Sequence, residues 1–323
     1  MASINVFLKL FIVLLALSLA NAQGLKVGFY KKTCPQAEAI VLNEMKRVIS
    51  LAPTLAAPLL RMHFHDCFVR GCDGSILLNS KNRTAEKDGI PNLSLRGYGV
   101  IDGIKTKLEK ACPGIVSCSD ILALVARDAV QLMNGPTWSV PTGRRDGRVS
   151  IAFETLIELP PPFGANITQL KNMFAKKGLS VKDLVVLSGA HTIGTSHCSS
   201  FSQRLYNFTG KGDADPSLDK HYAARLKLKC KPNDFTTLAE LDPGSFKSFD
   251  GGYYKLVAKR RGLFSSDEAL LHDGETKAYV ARQVAGALKE FFKDFANSMV
   301  RMGNIEVLTG KQGEIRKQCG FVN

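Results

Sequence analysis

Leu59-Leu60-Arg61-Met62-His63-Phe64-His65-Asp66-Cys67 is the stretch on which the fold turns. It reads as the end of a helix running into a loop. Residues three and four apart share a helix face. Arg61, Phe64 and His65 therefore look into one cavity, with His63 turned elsewhere. A guanidinium, a flat apolar wall and an imidazole suit a small polar molecule with a transferable proton. The imidazole moves the proton, and the fixed cation steadies charge that develops as a bond breaks. Asp66 and Cys67 give the same turn a hard oxygen ligand and a covalent anchor.

The next residues, Phe68-Val69-Arg70-Gly71-Cys72-Asp73-Gly74-Ser75, read as a loop. A bridge between Cys67 and Cys72 would pin it. Asp66, Asp73 and Ser75, with the carbonyls of Val69 and Gly71, offer the oxygens that calcium takes. The plainer reading is a polar turn. Residues 79–96 form a long polar loop that contains Glu86 and Asn92.

The chain has 323 residues, 45% of them hydrophobic and 22% charged, enough apolar material for a buried core and too little charge for disorder. Lys9, the apolar run 10–19 and Ala20-Asn21-Ala22 have the form of a secretory leader, residues 1–22, too short to span a bilayer. Residues 23–323 are the mature domain. Eight cysteines in an exported chain predict four disulfides; no CxxC spacing suggests zinc, and the pairing stays open. Export also gives meaning to the N-x-S/T triplets at Asn82, Asn92, Asn166 and Asn207. Sugar is expected at Asn82, Asn166 and Asn207. The 43 basic against 29 acidic residues favour adhesion to acidic polymers such as cell-wall polysaccharide. No nucleic-acid motif occurs, and a basic face kept for solubility is the plain alternative.

Residues 36–50 and 119–133 carry helical apolar stripes, and residues 168–177 form a short helix stopped by Gly178. Ser180 and Asp183 resemble a capping box that starts a helix ending at Ser188-Gly189-Ala190-His191-Thr192-Ile193-Gly194. The bare residues around His191 suggest room for something large and flat, against the common reading of a helix-end cap. Asp242, Ser245, Ser248 and Asp250, with Thr192, repeat the oxygen-rich pattern of a calcium site. Asp267 reads as a surface turn or, more sharply, as a buried partner for a histidine. Residues 276–302 predict one long helix with Val284, Leu288, Phe291, Phe295, Met299 and Met302 in the core. Helices dominate, with no run of alternating strands.

Several of these stretches together resemble the secretory plant haem peroxidases, the class III peroxidase family. They are Arg61-Met-His-Phe-His-Asp-Cys67, Gly71-Cys-Asp-Gly-Ser75, Val116-Ser-Cys-Ser-Asp120, Pro141-Thr-Gly-Arg-Arg-Asp146, Leu187-Ser-Gly-Ala-His-Thr-Ile-Gly194, Ser266-Asp267 and Met302-Gly-Asn304. The resemblance implies a mainly α, two-lobed fold with little β structure and haem b between the lobes. It implies His191 as axial ligand with Asp267 as its partner, and His65, Arg61, Asn92, Phe64 and Glu86 as the catalytic set. Pro160 would hold aromatic substrate. One calcium would take Asp66, Val69, Gly71, Asp73 and Ser75; a second would take Thr192, Asp242, Ser245, Ser248 and Asp250. The bridges implied are Cys34–Cys112, Cys67–Cys72, Cys118–Cys319 and Cys198–Cys230. Ser245 stands where threonine also occurs in the family, and Ile193 where some relatives carry phenylalanine.

The activity so implied is reduction of hydrogen peroxide to water, with phenolic donors oxidised in one-electron steps through a ferryl and porphyrin-radical intermediate. The setting implied is cell-wall lignin and phenolic metabolism or an oxidative stress response. The protein is expected to be a secreted monomer of the cell wall rather than the vacuole, since no extension follows Cys319-Gly-Phe-Val-Asn323. Two other readings compete: a wall glycoprotein with a silent site, and a hydrolase pairing a histidine with serine. No G-x-S-x-G supports the second.

Overall fold

The computed structural model describes residues 24–161 and 163–323. The leader, residue 23 and residue 162 lie outside the described residues. The first lobe contains β1 (Lys26–Val27), α1 (Ala37–Leu51), α2 (Ala56–Val69), α3 (Tyr98–Ala111) and α4 (Cys118–Leu132). The apolar stripe of α1, including Val41, Met45, Val48 and Ile49, is buried against α4. Helix α4 is buried on almost every side and packs against α2. It starts where the Ser117 side chain accepts the Asp120 N–H, a standard N-cap.

β2 (Pro141–Thr142) pairs antiparallel with β1, and α5 (Glu154–Glu158) leads toward the second lobe. That lobe contains α6 (Ile167–Lys176), α7 (Val181–Ser188), β3 (Thr195–His197), α8 (Ser202–Tyr206), α9 (Lys220–Lys229), β4 (Leu238–Glu240), α10 (Gly252–Ala258), α11 (Ser265–Ala269), α12 (Gly274–Val284) and α13 (Leu288–Met302). β3 and β4 pair antiparallel with Thr195 opposite Glu240. Helix α7 lies among α6, α12 and α13. Ser180 and Asp183 cap it reciprocally: the Ser180 side chain accepts the Asp183 N–H, and Asp183 Oδ2 accepts the Ser180 N–H. One apolar core runs through both lobes, and a smaller one gathers Phe201, Leu205, Tyr222, Leu226 and Phe264.

The single helix expected over residues 276–302 is two. Gly286, at φ 101°, breaks it, and α13 starts afresh at Leu288. The break resets the helical phase, so Val284 and Leu288 are 41% and 39% exposed while Phe291, Phe295, Met299 and Met302 are buried. Among the described residues no helix is long and apolar enough to cross a membrane.

The structure joins Cys34 to Cys112, Cys67 to Cys72, Cys118 to Cys319 and Cys198 to Cys230. Arg144 adds a polar clamp. Its guanidinium donates to Asp120 Oδ1 at 2.7 Å, to the Pro141 carbonyl at 2.8 Å and to the Gly303 carbonyl at 2.6 and 2.9 Å. Asp120 also accepts the Tyr30 hydroxyl at 2.7 Å. The N-terminal segment, α4, the β2 turn and the end of α13 are thereby tied at one point. Arg144→Met would leave Asp120 buried without its cation. A loss of about 3–5 kcal/mol is expected, read as an earlier midpoint of urea unfolding; an unmoved midpoint would show that the clamp carries nothing.

Candidate active site

Helix α2 presents two faces with different tasks. On one face the Arg61 Nε–H donates to His65 Nε2 at 2.9 Å, one helical turn away. The Arg61 guanidinium is held in turn by the Ser94 hydroxyl at 2.8 Å and the Pro91 carbonyl at 2.7 Å. Arg61 is open to solvent yet has protein on most sides, so burial pulls its pKa down to about 10. Those two facts together describe a side chain lining a recess. Phe64 stands edge-on to His65 with ring centroids 5.6 Å apart and leans on Phe68 at 4.3 Å.

His65 is buried, and its Nδ1 meets Asn92 Oδ1. The Asn92 Nδ2–H donates to the Glu86 main-chain carbonyl at 2.8 Å, which settles which end of the amide faces the histidine. Nδ1 thus carries the proton and Nε2 keeps the lone pair. Burial, then the Arg61 cation, hold the His65 pKa well below its ordinary value, against the pull of Asn92. Glu86 reaches Asn92 through its backbone; its carboxyl points toward Asp66 and Asp73 and has no partner. His63 is buried on the other side, against Cys67 Sγ at 3.6 Å.

In the second lobe His191 lies in a 3₁₀ turn, Gly189–Thr192, directly after α7. Its Nδ1–H donates to Asp267 Oδ1 at 2.8 Å. Asp267 is 2% exposed and caps α11, its Oδ2 accepting the Phe264 N–H at 2.9 Å. Burial alone would raise this carboxyl; His191, Phe264 and Tyr253 outweigh it and hold its pKa below the ordinary value. The other nitrogen of His191 is left free, on a side chain 34% exposed.

Packing alone requires the glycines that flank His191. A carbon added to Gly189 would stand 2.5 Å from the Tyr254 hydroxyl and 2.6 Å from Phe291. One added to Gly194 would stand 2.5 Å from Ala57 Cβ. The second contact joins the two half-sites. Ala57 lies on the Arg61 face of α2, about 12 Å along the helix from His65. Gly194 lies three residues beyond His191. Beside that contact Pro53, Met133, Ile193 and Phe246 line a small cleft. α5 packs against α2 and the Ile90–Asn92 turn, and half-buried Pro160 follows two residues after it.

The other face of α2 carries Asp66 and leads into the Cys67–Cys72 loop. Asp66 accepts the Gly74 N–H at 3.0 Å, and Asp73 accepts the Ser75 N–H at 2.9 Å. Burial, then Asp73, push the Asp66 carboxyl well above its ordinary range. Burial pushes Asp73 up to about 6, and burial with Asp66 pushes Glu86 up to about 9. Ser75 Oγ has no partner. Crowded buried acids and an orphaned hydroxyl are the donor set a hard cation satisfies. In the second lobe the Thr192 hydroxyl meets Asp242 and Asp250, each at 3.3 Å, and Ser245 and Ser248 follow in the same turn. Burial, then Asp250, push Asp242 up to about 6. A carbon on Gly252 would press on the carboxyls of Asp242 and Asp250, so glycine there leaves the pair undisturbed.

Sequence reasoning missed Ser94, the Pro91 carbonyl and Tyr253. Ser94 sits two residues after Asn92, a faint local signal. Tyr253, whose hydroxyl donates to Asp267 Oδ1 at 2.9 Å, is reached only through the fold.

Residues 41–286 match the family model described as Peroxidase. The chain is 63% identical over 314 residues to Peroxidase 27 of Arabidopsis thaliana, covering 97% of each chain. It is 61% identical over 329 residues to Peroxidase 1 of Oryza sativa subsp. japonica, covering 100% of each. It is also 61% identical to Peroxidase 56 of Arabidopsis thaliana over 94% of this chain and 92% of that one. Identity of this depth across nearly the whole length, on a helical fold with a guanidinium-bound histidine in one lobe and a carboxylate-bound histidine in the other, makes the chain a member of the plant class III peroxidases, haem enzymes that act on hydrogen peroxide.

Proposed function

We propose that the enzyme oxidises small phenols one electron at a time, with His191 as the haem ligand, His65 as the acid–base and two calcium ions bracing the half-sites. One observation carries this reading: each imidazole has one nitrogen fixed, and the two acceptors differ in charge. Asn92 offers His65 a neutral carbonyl oxygen, while Asp267 offers His191 a carboxylate. The first leaves an ordinary imidazole that can take and return a proton. The second gives the ring anionic character and makes its free nitrogen a strong axial donor.

Haem supplies a redox centre that accepts two oxidising equivalents from peroxide and passes them singly to phenols. The chain supplies everything else. Neutral His65 takes a proton from peroxide at Nε2 and returns it to the departing oxygen, which leaves as water; such a positioned group contributes roughly 10²–10⁴-fold. Arg61, anchored on Ser94 and Pro91, places fixed positive charge where the breaking O–O bond becomes polar. Phe64 narrows the recess to peroxide. Pro160, two residues beyond the helix that packs on α2, would hold the aromatic donor. The first cation would take Asp66, Asp73 and Ser75 with the carbonyls of Val69 and Gly71, bracing the end of α2. The second would take Thr192, Asp242, Ser245, Ser248 and Asp250, bracing the turn beside His191.

The four disulfides support an oxidising destination and hence secretion to the wall. Asn82, Asn166 and Asn207 are exposed and fit as glycosylation sites, while Asn92 is buried. The basic surface fits acidic wall polysaccharide.

Three outcomes are expected. His65→Leu keeps haem but slows the stopped-flow reaction with peroxide by roughly 10²–10⁴-fold; a wild-type rate would remove His65 from the mechanism. His191→Ala loses haem, read as loss of the Soret band, and a full band would assign the axial bond elsewhere. The third concerns pH. A base whose pKa is depressed stays neutral, and so competent, at every pH above that lowered value. The peroxide rate should therefore hold steady as pH falls through the ordinary histidine value of 6.5 and drop only well below it. A limb centred at or above 6.5 would contradict the burial of His65.

A further inference from the structure

Tyr253 is the second residue of α10, three positions after Asp250. It is 1% exposed, and its ring stands edge-on to His191 with centroids 5.7 Å apart. Its hydroxyl donates to Asp267 Oδ1 at 2.9 Å. The same oxygen accepts the His191 Nδ1–H at 2.8 Å. A carboxylate oxygen offers about two lone-pair sites, so these two donors fill Oδ1. The Phe264 N–H lies on Oδ2 and does not compete. Gly262 makes the arrangement possible, since a side-chain carbon there would stand 2.4 Å from Asp267 Cβ.

We propose that Tyr253 is a positioning residue that sets how strongly His191 donates to haem iron, by sharing the one oxygen of Asp267 that His191 uses. The proposal rests on His191 being the haem ligand. A hydrogen bond to a carboxylate stabilises its charge and makes it a weaker acceptor for any other donor. With Tyr253 in place, Asp267 draws the Nδ1 proton less strongly, and the imidazole stays less anionic. A less anionic imidazole is a weaker axial donor, and it favours the ferric state less. The phenol thus moderates what the carboxylate would do alone. Its burial shuts out water that would otherwise blur the effect.

Tyr253→Phe tests this directly, because it keeps the edge contact with His191 and removes only the donor. In the haem-loaded variant the ferric/ferrous potential is expected to move negative. The iron–imidazole stretch of the ferrous protein, read by resonance Raman, is expected to move to higher frequency. In apoprotein labelled with ¹⁵N-histidine the His191 Nδ1–H proton should move downfield, a readout that needs no haem. In an Asp267→Ala background, where no shared acceptor remains, Tyr253→Phe should move neither potential nor stretch. Site-specific 3-fluorotyrosine at position 253, a stronger donor, should shift the potential the opposite way and keeps the test open where phenylalanine fails to fold. An unmoved or positive potential in a Tyr253→Phe protein with native circular dichroism and Soret band would overturn the proposal. Persistence of the iron–imidazole stretch in His191→Ala would instead overturn the assignment of the ligand on which it rests.

Discussion

A carboxylate kept charged in the interior beside an imidazole is the constraint on which the second lobe depends. Taking such an ion out of water is expensive, and the interior tolerates it only when every lone pair is met. Asp267 is met by a histidine, a phenol and a backbone N–H from three separate segments. Those segments must arrive together or the charge is stranded. The short helix α11, the glycine at 262 and the entry of α10 all read as provisions for that meeting. The first lobe solves a milder problem. His65 is buried neutral, and an amide wedged between it and the Glu86 carbonyl is enough to fix its tautomer.

Both half-sites are joined to a knot of oxygen-rich loop by the shortest route available. Asp66 follows His65, and Thr192 follows His191. Helix α2 therefore carries the Arg61–His65 pair on one face and turns Asp66 toward the disulfide-closed loop on another. Acids this crowded repel each other strongly when nothing neutralises them. In both lobes that repulsion and burial raise the carboxyls that stand beside the imidazole-bearing turn.

Much of this was legible from spacing. Arg61 and His65 are one helical turn apart, and the fold places them in direct contact. The Ser180 and Asp183 pair marked the start of the helix that delivers His191. Local rules succeed where one element carries both partners. They failed at Tyr253, whose link to Asp267 passes through the packing of α10 on the His191 turn. They could not name what crowds Gly189 and Gly194, because Tyr254, Phe291 and Ala57 reach them only through the fold. They also failed at Gly286, since a helical stripe can carry across a break that the glycine in fact makes.

Asn92-Leu93-Ser94 has the form of a sugar-acceptor triplet, yet both of its polar residues are committed elsewhere. The amide lies between His65 and Glu86, and the hydroxyl steadies Arg61. In an exported chain, oligosaccharide transfer acts on extended polypeptide, before tertiary burial. A glycan on that nitrogen would be too bulky for the wall to close around. A molecule carrying sugar at Asn92 would lose the paired contacts that fix which nitrogen of His65 bears the proton.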